Sequence, residues 1–206
     1  QKNFQFKHFY TGEYLFMFDI ATIFENQIAV FFGAPYAVAT DSCTHGIEIC
    51  LRQQKVKKIT VPTRTYISIP FLPSKLNLEW EWDNNEWLDY YYIGGTNIID
   101  AAVYWKEGGY ISGTFMCLSF QFQKHLSLGR GGMILLDDKE SYEVLRKMVY
   151  DGREPGVPWR DQNIDTVGYH YYMTPETAQL GINKFTKAIH EEPRRWVLND
   201  WPDLTK

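Results

Sequence analysis

Short apolar runs separated by segments of helical periodicity constrain this chain more than any other feature. "YAVAT", "KKITVP", "NIIDAAV", "TFMCLSF" and "GMILLD" each read as a short buried strand, and Pro62 ends the second. "LNLEWEWDNNEW" alternates apolar and polar positions before an Asp-Asn-Asn turn, which suits a strand at a sheet edge. Between these runs lie helical patterns. One spans Leu15 to Phe32 and meets a C-terminal cap at Gly33, and another begins in "DSCTHGIEICLRQQ" after small hydroxyl residues. "DKESYEVLRKMVYD" and "TPETAQLGINKFTKAIH" are amphipathic helices with N-caps. The alternation predicts an α/β domain with a mixed, mostly parallel sheet flanked by helices.

At 206 residues, with 45% apolar and 17% aromatic side chains, the chain can bury one sizeable core. One domain over residues 1–190 and a tail over 191–206 are expected, with "DGREPGVPWRDQNIDT" as a long loop and no internal repeat. A formal charge of −4 lacks the basic footprint of a nucleic-acid binder. Cys43, Cys50 and Cys117 show neither disulfide-framework nor metal-ligand spacing, so a reducing cytoplasm without a metal site is expected. The most apolar stretch, "IAVFFGAPYAVA", is too short and too broken by Gly33 and Pro35 to span a bilayer, and the N-terminal residues lack the order of a signal peptide.

"SFQFQKHLSLGRGGMILLDD" sets Lys124 in a polar, glycine-spaced loop between two apolar runs. Taken alone, such a lysine is solvated surface charge. Asp100, however, ends the run "NIIDAA", and an acid at the carboxyl end of a strand lies on the edge where open α/β sheets bind ligands. It either caps a turn or meets a cation, and a protonated pyridine nitrogen is one such cation. The helix start after Asp41 offers backbone N–H groups with the hydroxyls of Ser42 and Thr44: a plain N-cap, or a phosphate site that needs no basic residue. Tyr66 could lay its ring on a planar cofactor or serve the core.

The order of these segments resembles the DegT/StrS family of pyridoxal-phosphate-dependent nucleotide-sugar aminotransferases, which have the aspartate-aminotransferase (type I) fold. The likeness runs from about Phe31 to Phe185. "FFGAPYAVATDSCTHGIEICL" is similar to the family's F-G-x-x-Y-A-V-x-x-x-S-G-T segment, "ITVPTRTYISIP" to its V-P-x-x-T-aromatic turn and "NIIDAAVYW" to its E-D-A-A segment. "GTFMCLSFQFQKHLSLGRGGMILLDD" is similar to its S-F-x-x-x-K-N-L-x-x-G-E-G-G loop, and "VGYHYYMTPETAQLGINKF" to G-Y-N-x-R-M. The resemblance implies that Lys124 forms a Schiff base with pyridoxal 5'-phosphate and shuttles protons, that Asp100 pairs with the pyridine nitrogen, and that Tyr66 stacks on the ring. It further implies that Ser42, Cys43, Thr44 and Ser119 hold the phosphate, and that His170 reaches a neighbouring subunit's cofactor across a homodimer.

Departures from the pattern are Val103 for a glutamine or histidine, Cys43 for glycine, His170 for asparagine, Tyr172 for arginine and Arg130 for glutamate. The interval between Tyr66 and Asp100 is shorter than in the family, and residues 191–206 leave little for its small C-terminal domain, so a reduced homologue is expected. The expected activity is amination of a nucleotide-linked keto sugar, with glutamate as donor. Two alternatives stay open. One is a sugar dehydratase, in which histidine replaces the lysine. The other is a degenerate scaffold that binds a sugar or a partner, for which "WEWDNNEWLDYYY" could stack sugars or simply fill the core.

Overall fold

The computed structural model describes residues 19–206, so the first four residues of the helix expected from Leu15 lie outside the described part. Helix α1 (Asp19–Phe32) buries Phe24, Ile28 and Phe32, four residues apart on one stripe. It ends where Gly33 turns to φ 76° and the Ala34 N–H donates back to the Ala29 carbonyl at 2.9 Å, the hydrogen bond of a glycine-capped helix end. Strand β1 (Tyr36–Thr40) follows, then α2 (Cys43–Gln53), whose N-cap Ser42 accepts from the His45 N–H at 3.2 Å.

Strand β2 (Lys58–Pro62) pairs in parallel with β3 (Glu79–Asp83), and the six-residue α3 (Phe71–Leu76) lies between them in sequence. Short strands β4 (Tyr91–Tyr92) and β5 (Ile98–Asp100) lead to β6 (Phe115–Ser119) and β7 (Gly132–Leu136). Helices α4 (Lys139–Val149) and α5 (Pro175–Ala188) start at the capping side chains of Asp138 and Thr174.

The main sheet has the order β1-β7-β6-β5-β4. Its β5–β6 pairing is parallel, as is β2–β3 in the second sheet, while β1–β7, β6–β7 and β4–β5 are antiparallel. Parallel neighbours need a crossover between them, but β6 and β7 are joined by a loop that folds back on itself, so the sheet is mixed. Reciprocal hydrogen bonds between Thr60 and Gly94 (3.2 and 3.0 Å) tie β2 to the segment after β4.

Side chains alternate across the main sheet into two cores. Val38, Cys117, Ile134 and Leu136 face α2 and α4 with Ile47 and Leu145. Ala39, Met116, Leu118, Met133 and Leu135 face α1 and α5 with Phe24, Ile28 and Ala178. The result is the three-layer helix–sheet–helix arrangement of α/β domains. Residues 191–206 return to the body. The Leu204 N–H donates to the Thr63 carbonyl at 2.9 Å, and Arg64 Nη1 donates to the Trp201 carbonyl at 3.0 Å.

Candidate active site

Strand directions place the site. β1 and β6 each run antiparallel to β7 and therefore run the same way as one another, and β5 runs parallel to β6. The carboxyl ends of β1, β5 and β6 thus share one edge, the edge where such sheets bind ligands. β1 delivers Ser42, Cys43 and Thr44 there, β5 delivers Asp100, and β6 delivers Ser119 and the loop that carries Lys124. Tyr66 arrives from the turn after β2. A cavity of about 480 Å³ is lined by all seven of these residues, a size suited to a cofactor or small ligand. His170 is not in its lining. That ring is exposed on a bridge to Tyr150, with Nδ1 at 3.2 Å from the carboxylate of Asp151.

Backbone bonds fix the lysine loop. The Phe120 N–H donates to the Gly131 carbonyl and the Leu128 N–H to the Phe120 carbonyl, both at 2.9 Å, and the Lys124 N–H donates to Gln121 at 2.8 Å. Buried Phe120, Leu126 and Leu128 anchor it in the core. Lys124 is half-buried, and burial holds its amine below the ordinary lysine range, against the opposing attraction of Asp100.

Asp100 is buried, and burial raises its carboxyl, opposed by three donors and by the Lys124 charge. The donors are the Tyr91 hydroxyl (2.6 Å), the Ala102 N–H (3.0 Å) and the Cys43 thiol (3.9 Å). Desolvation therefore disfavours the charged form of both members of the Lys124–Asp100 pair. The Cys43 side chain turns inward from the phosphate-type turn, its thiol also reaching the Cys117 carbonyl at 3.4 Å, and burial raises it well above the usual thiol range.

On the other side of the turn, Asp41 gathers the charges. Its carboxylate meets His45 Nδ1 at 2.6 Å and Arg130 Nη2 at 2.7 Å. The positive charge that Arg130 brings to the rim is thus answered by Asp41. The His45 ring stacks on Tyr171 with centroids 3.7 Å apart. Thr44 Oγ1 and Ser68 Oγ share a hydrogen bond of 2.7 Å.

Four contributors were not legible in the sequence: His45, Ser68, Tyr91 and Trp201. The first two line the same cavity as Lys124, and so does Trp201, which comes from residues expected to form a tail. Trp80 and Trp82 pack edge to face and lie partly buried against the core, while Trp87 packs on Tyr91 and Trp201. Among the described residues, no group of three or more His, Cys, Asp and Glu side chains is placed to hold a metal, and no helix is long and apolar enough to cross a membrane.

The donor set suits pyridoxal phosphate: a helix N-terminus with hydroxyls for a phosphate dianion, a buried carboxylate for a ring cation, and an amine with weakened charge. Fold and site together define a domain of pyridoxal-phosphate aminotransferase type. The chain belongs to the DegT/DnrJ/EryC1/StrS aminotransferase family, whose model matches residues 5–70 and 101–198. Asp100 falls one residue outside that match.

Among solved structures the chain is similar to AtS13 from Actinomadura melliaura, with 18% identity and a TM-score of 0.71, covering 84% of this chain and 61% of that one. It is also similar to the putative sugar aminotransferase Spr1654 from Streptococcus pneumoniae in its PMP form, at 16% identity and TM-score 0.69, over 83% of this chain and 59% of that one. A third is the GDP-4-keto-6-deoxymannose-3-dehydratase ColD with bound GDP-perosamine, at 16% identity and TM-score 0.68, over 83% and 61% of the two chains. The chain spans about three fifths of the length of these structures. None of the curated proteins matches it by sequence.

Proposed function

We propose that the chain is a pyridoxal-phosphate-dependent aminotransferase domain acting on a nucleotide-linked keto sugar, with glutamate as amine donor. The carrying observation is that Lys124 and Asp100 open on one cavity that also meets the N-terminus of α2. When bound, the cofactor supplies an electron sink for changes at the carbon bearing the amine. The chain's own residues do the rest. Ser42, Thr44, Ser119 and the first N–H groups of α2 bind the phosphate, and Tyr66 flanks the ring. Asp100 holds the charge of the ring nitrogen. Lys124 would hold the cofactor through its amine and, once displaced by the incoming substrate amine, would act as base and acid, carrying a proton at its Nζ between the substrate carbon and the cofactor.

His170, exposed and away from this cavity, fits the role of donor to a neighbouring subunit's phosphate in a homodimer. The dehydratase reading is disfavoured by His125. Its Nε2 sits 2.7 Å from the Ala188 carbonyl, and the residue is absent from the lining of the Lys124 cavity. Against the scaffold reading stands the packing of Trp80, Trp82 and Trp87 against the core, which gives these three rings a structural role.

The test is addition of pyridoxal phosphate followed by borohydride reduction and peptide mapping. A visible band and a label on Lys124, both lost in Lys124→Ala, are the expected result. Folded protein that gives neither would refute the proposal. Screening keto sugars linked to nucleotides, with glutamate as donor, then identifies the substrate.

A further inference from the structure

We infer that the segment bearing Trp196 and Trp201 is a roof over Lys124, and that these two tryptophans are positioning residues that hold its amine toward the cavity and keep water from it. Lys124 Nζ lies 4.7 Å from the ring of Trp196 and 5.1 Å from that of Trp201, within the range of cation–π contact. The two indoles stack with centroids 5.3 Å apart and planes 18° apart. Trp201 is buried and lines the cavity, packing on Trp87 at 5.7 Å.

The roof is fastened as well as packed. The Trp201 carbonyl accepts from Arg64, whose own carbonyl accepts from Trp87 Nε1 at 2.7 Å. Within the segment, Arg194 lies over the Trp196 ring at 4.0 Å and donates to Asp200 at 2.9 Å, and the Val197 N–H donates to Asp200 at 2.9 Å. Arg64, two residues before Tyr66, also forms a β-bridge with Asp203, so the roof and the proposed ring-flanking tyrosine share one support.

Burial beneath the indoles strips water from the Lys124 ammonium and favours the neutral amine, the cation–π attraction opposes this, and the amine lies below the ordinary lysine range. The groups that act on Lys124 are Asp100 from β5 and the Cys43 thiol from α2, which favour its charge, and Arg194 from the roof, which disfavours it. The roof thereby supplies both desolvation and a like charge, and both favour the neutral, nucleophilic amine. This inference rests on the reading of Lys124 as the reactive amine.

The test uses the full chain without cofactor. Acetylation of Lys124 by an amine-selective reagent is followed by peptide mass spectrometry across a pH series, and the midpoint is compared among variants. In Trp196→Ala/Trp201→Ala the midpoint should rise toward that of ordinary lysines, so that the fraction of reactive amine near neutral pH falls roughly tenfold. Trp201→Phe should restore most of the shift. Easier access alone would raise the plateau without moving the midpoint.

A second measurement needs no roof variant. The intrinsic tryptophan fluorescence of the unmodified chain should step at the Lys124 midpoint, and the step should vanish in Lys124→Met. An unchanged midpoint in folded double variant, or the lack of a Lys124-dependent step, overturns the inference. Failure of pyridoxal phosphate to label Lys124 while the midpoint still shifts would sink the proposed function and leave the roof standing.

Discussion

The Tyr91 hydroxyl donates to Asp100 Oδ2 at 2.6 Å, and Thr65 Oγ1 stands 2.5 Å from the same hydroxyl. With the phenol proton committed to the carboxylate, Thr65 is the donor to Tyr91. This chain of hydrogen bonds is buried throughout, and it opposes the rise that desolvation imposes on the Asp100 carboxyl. Tyr91→Phe removes one donor to Asp100 and leaves the Thr65 hydroxyl unpaired. A hydrogen bond to a charged group contributes about 2 kcal/mol, so a fall in melting temperature of several degrees is expected. The Asp100 carboxyl rises further, and its hold on a ring cation weakens, with pyridoxal phosphate affinity dropping about tenfold. Thermal melts and a cofactor titration check both. Lost stability with unchanged affinity would mean that Asp100 does not meet the ring.

The elements with strong local signals were legible, and those made by distant partners were not. "YAVAT" and "GMILLD" are continuous apolar runs bounded by turn residues, and they form β1 and β7 in every residue that pairs. Ser42, Asp138 and Thr174 were readable as helix starts because capping is a matter of one side chain and the next turn. Helix α3 carries Pro73 within six residues, and β4 has only two, so neither shows a period.

The antiparallel course of β7 depends on the lysine loop closing on itself through bonds between Phe120 and Gly131, which no local pattern reports. Lys124 and Asp100, singled out by motif order, line one cavity. His45 gains its place by stacking on Tyr171, and Trp201 by docking on Arg64; both contacts join residues far apart in sequence. A short run near the end of the chain, polar and punctuated by prolines, carries no sign of the cavity it covers.

Glu25 offers a pH test independent of the site. It lies buried on α1, with Oε1 accepting the Ala39 N–H of β1 at 2.7 Å, and burial pushes its carboxyl up to about 7, against the attraction of Arg146. An acid whose folded-state value is raised stays protonated in the folded chain when the unfolded chain has already released its proton. Its contribution to stability therefore falls as pH rises from the unfolded value of 4.5 to about 7, and is constant above. The full effect is on the order of 3 kcal/mol. Glu25→Gln keeps an acceptor for Ala39 without the titration. Its melting temperature should exceed that of the unmodified chain by about 5 °C at slightly alkaline pH and converge with it, or fall below, in mild acid. Parallel melts across pH decide the matter, and a constant difference would show that Glu25 does not titrate in this window.

Gly132 connects the sheet to the phosphate-type turn, and that closeness sets the last expectation. It opens β7 between Thr40 of β1 and Ser119 of β6, in register with both. A Cβ there would collide with the carbonyl carbon of Ser42 and stand 2.5 Å from the Cys43 nitrogen. Those are backbone atoms at the N-terminus of α2, so no side chain can swing aside, and the turn itself must move. Gly132→Ala should cost about 2–3 kcal/mol and weaken pyridoxal phosphate binding by at least about tenfold, because the N–H groups that would face the phosphate are displaced. Gly113→Ala is the comparison. Gly113 has φ 78°, and a methyl group added there would meet nothing within 4 Å, so its cost is backbone strain of about 1–2 kcal/mol at a residue outside the cavity lining. Melting temperature and cofactor titration on both variants separate general destabilisation from loss of the turn. Equal affinity in the two would place the phosphate somewhere other than the start of α2.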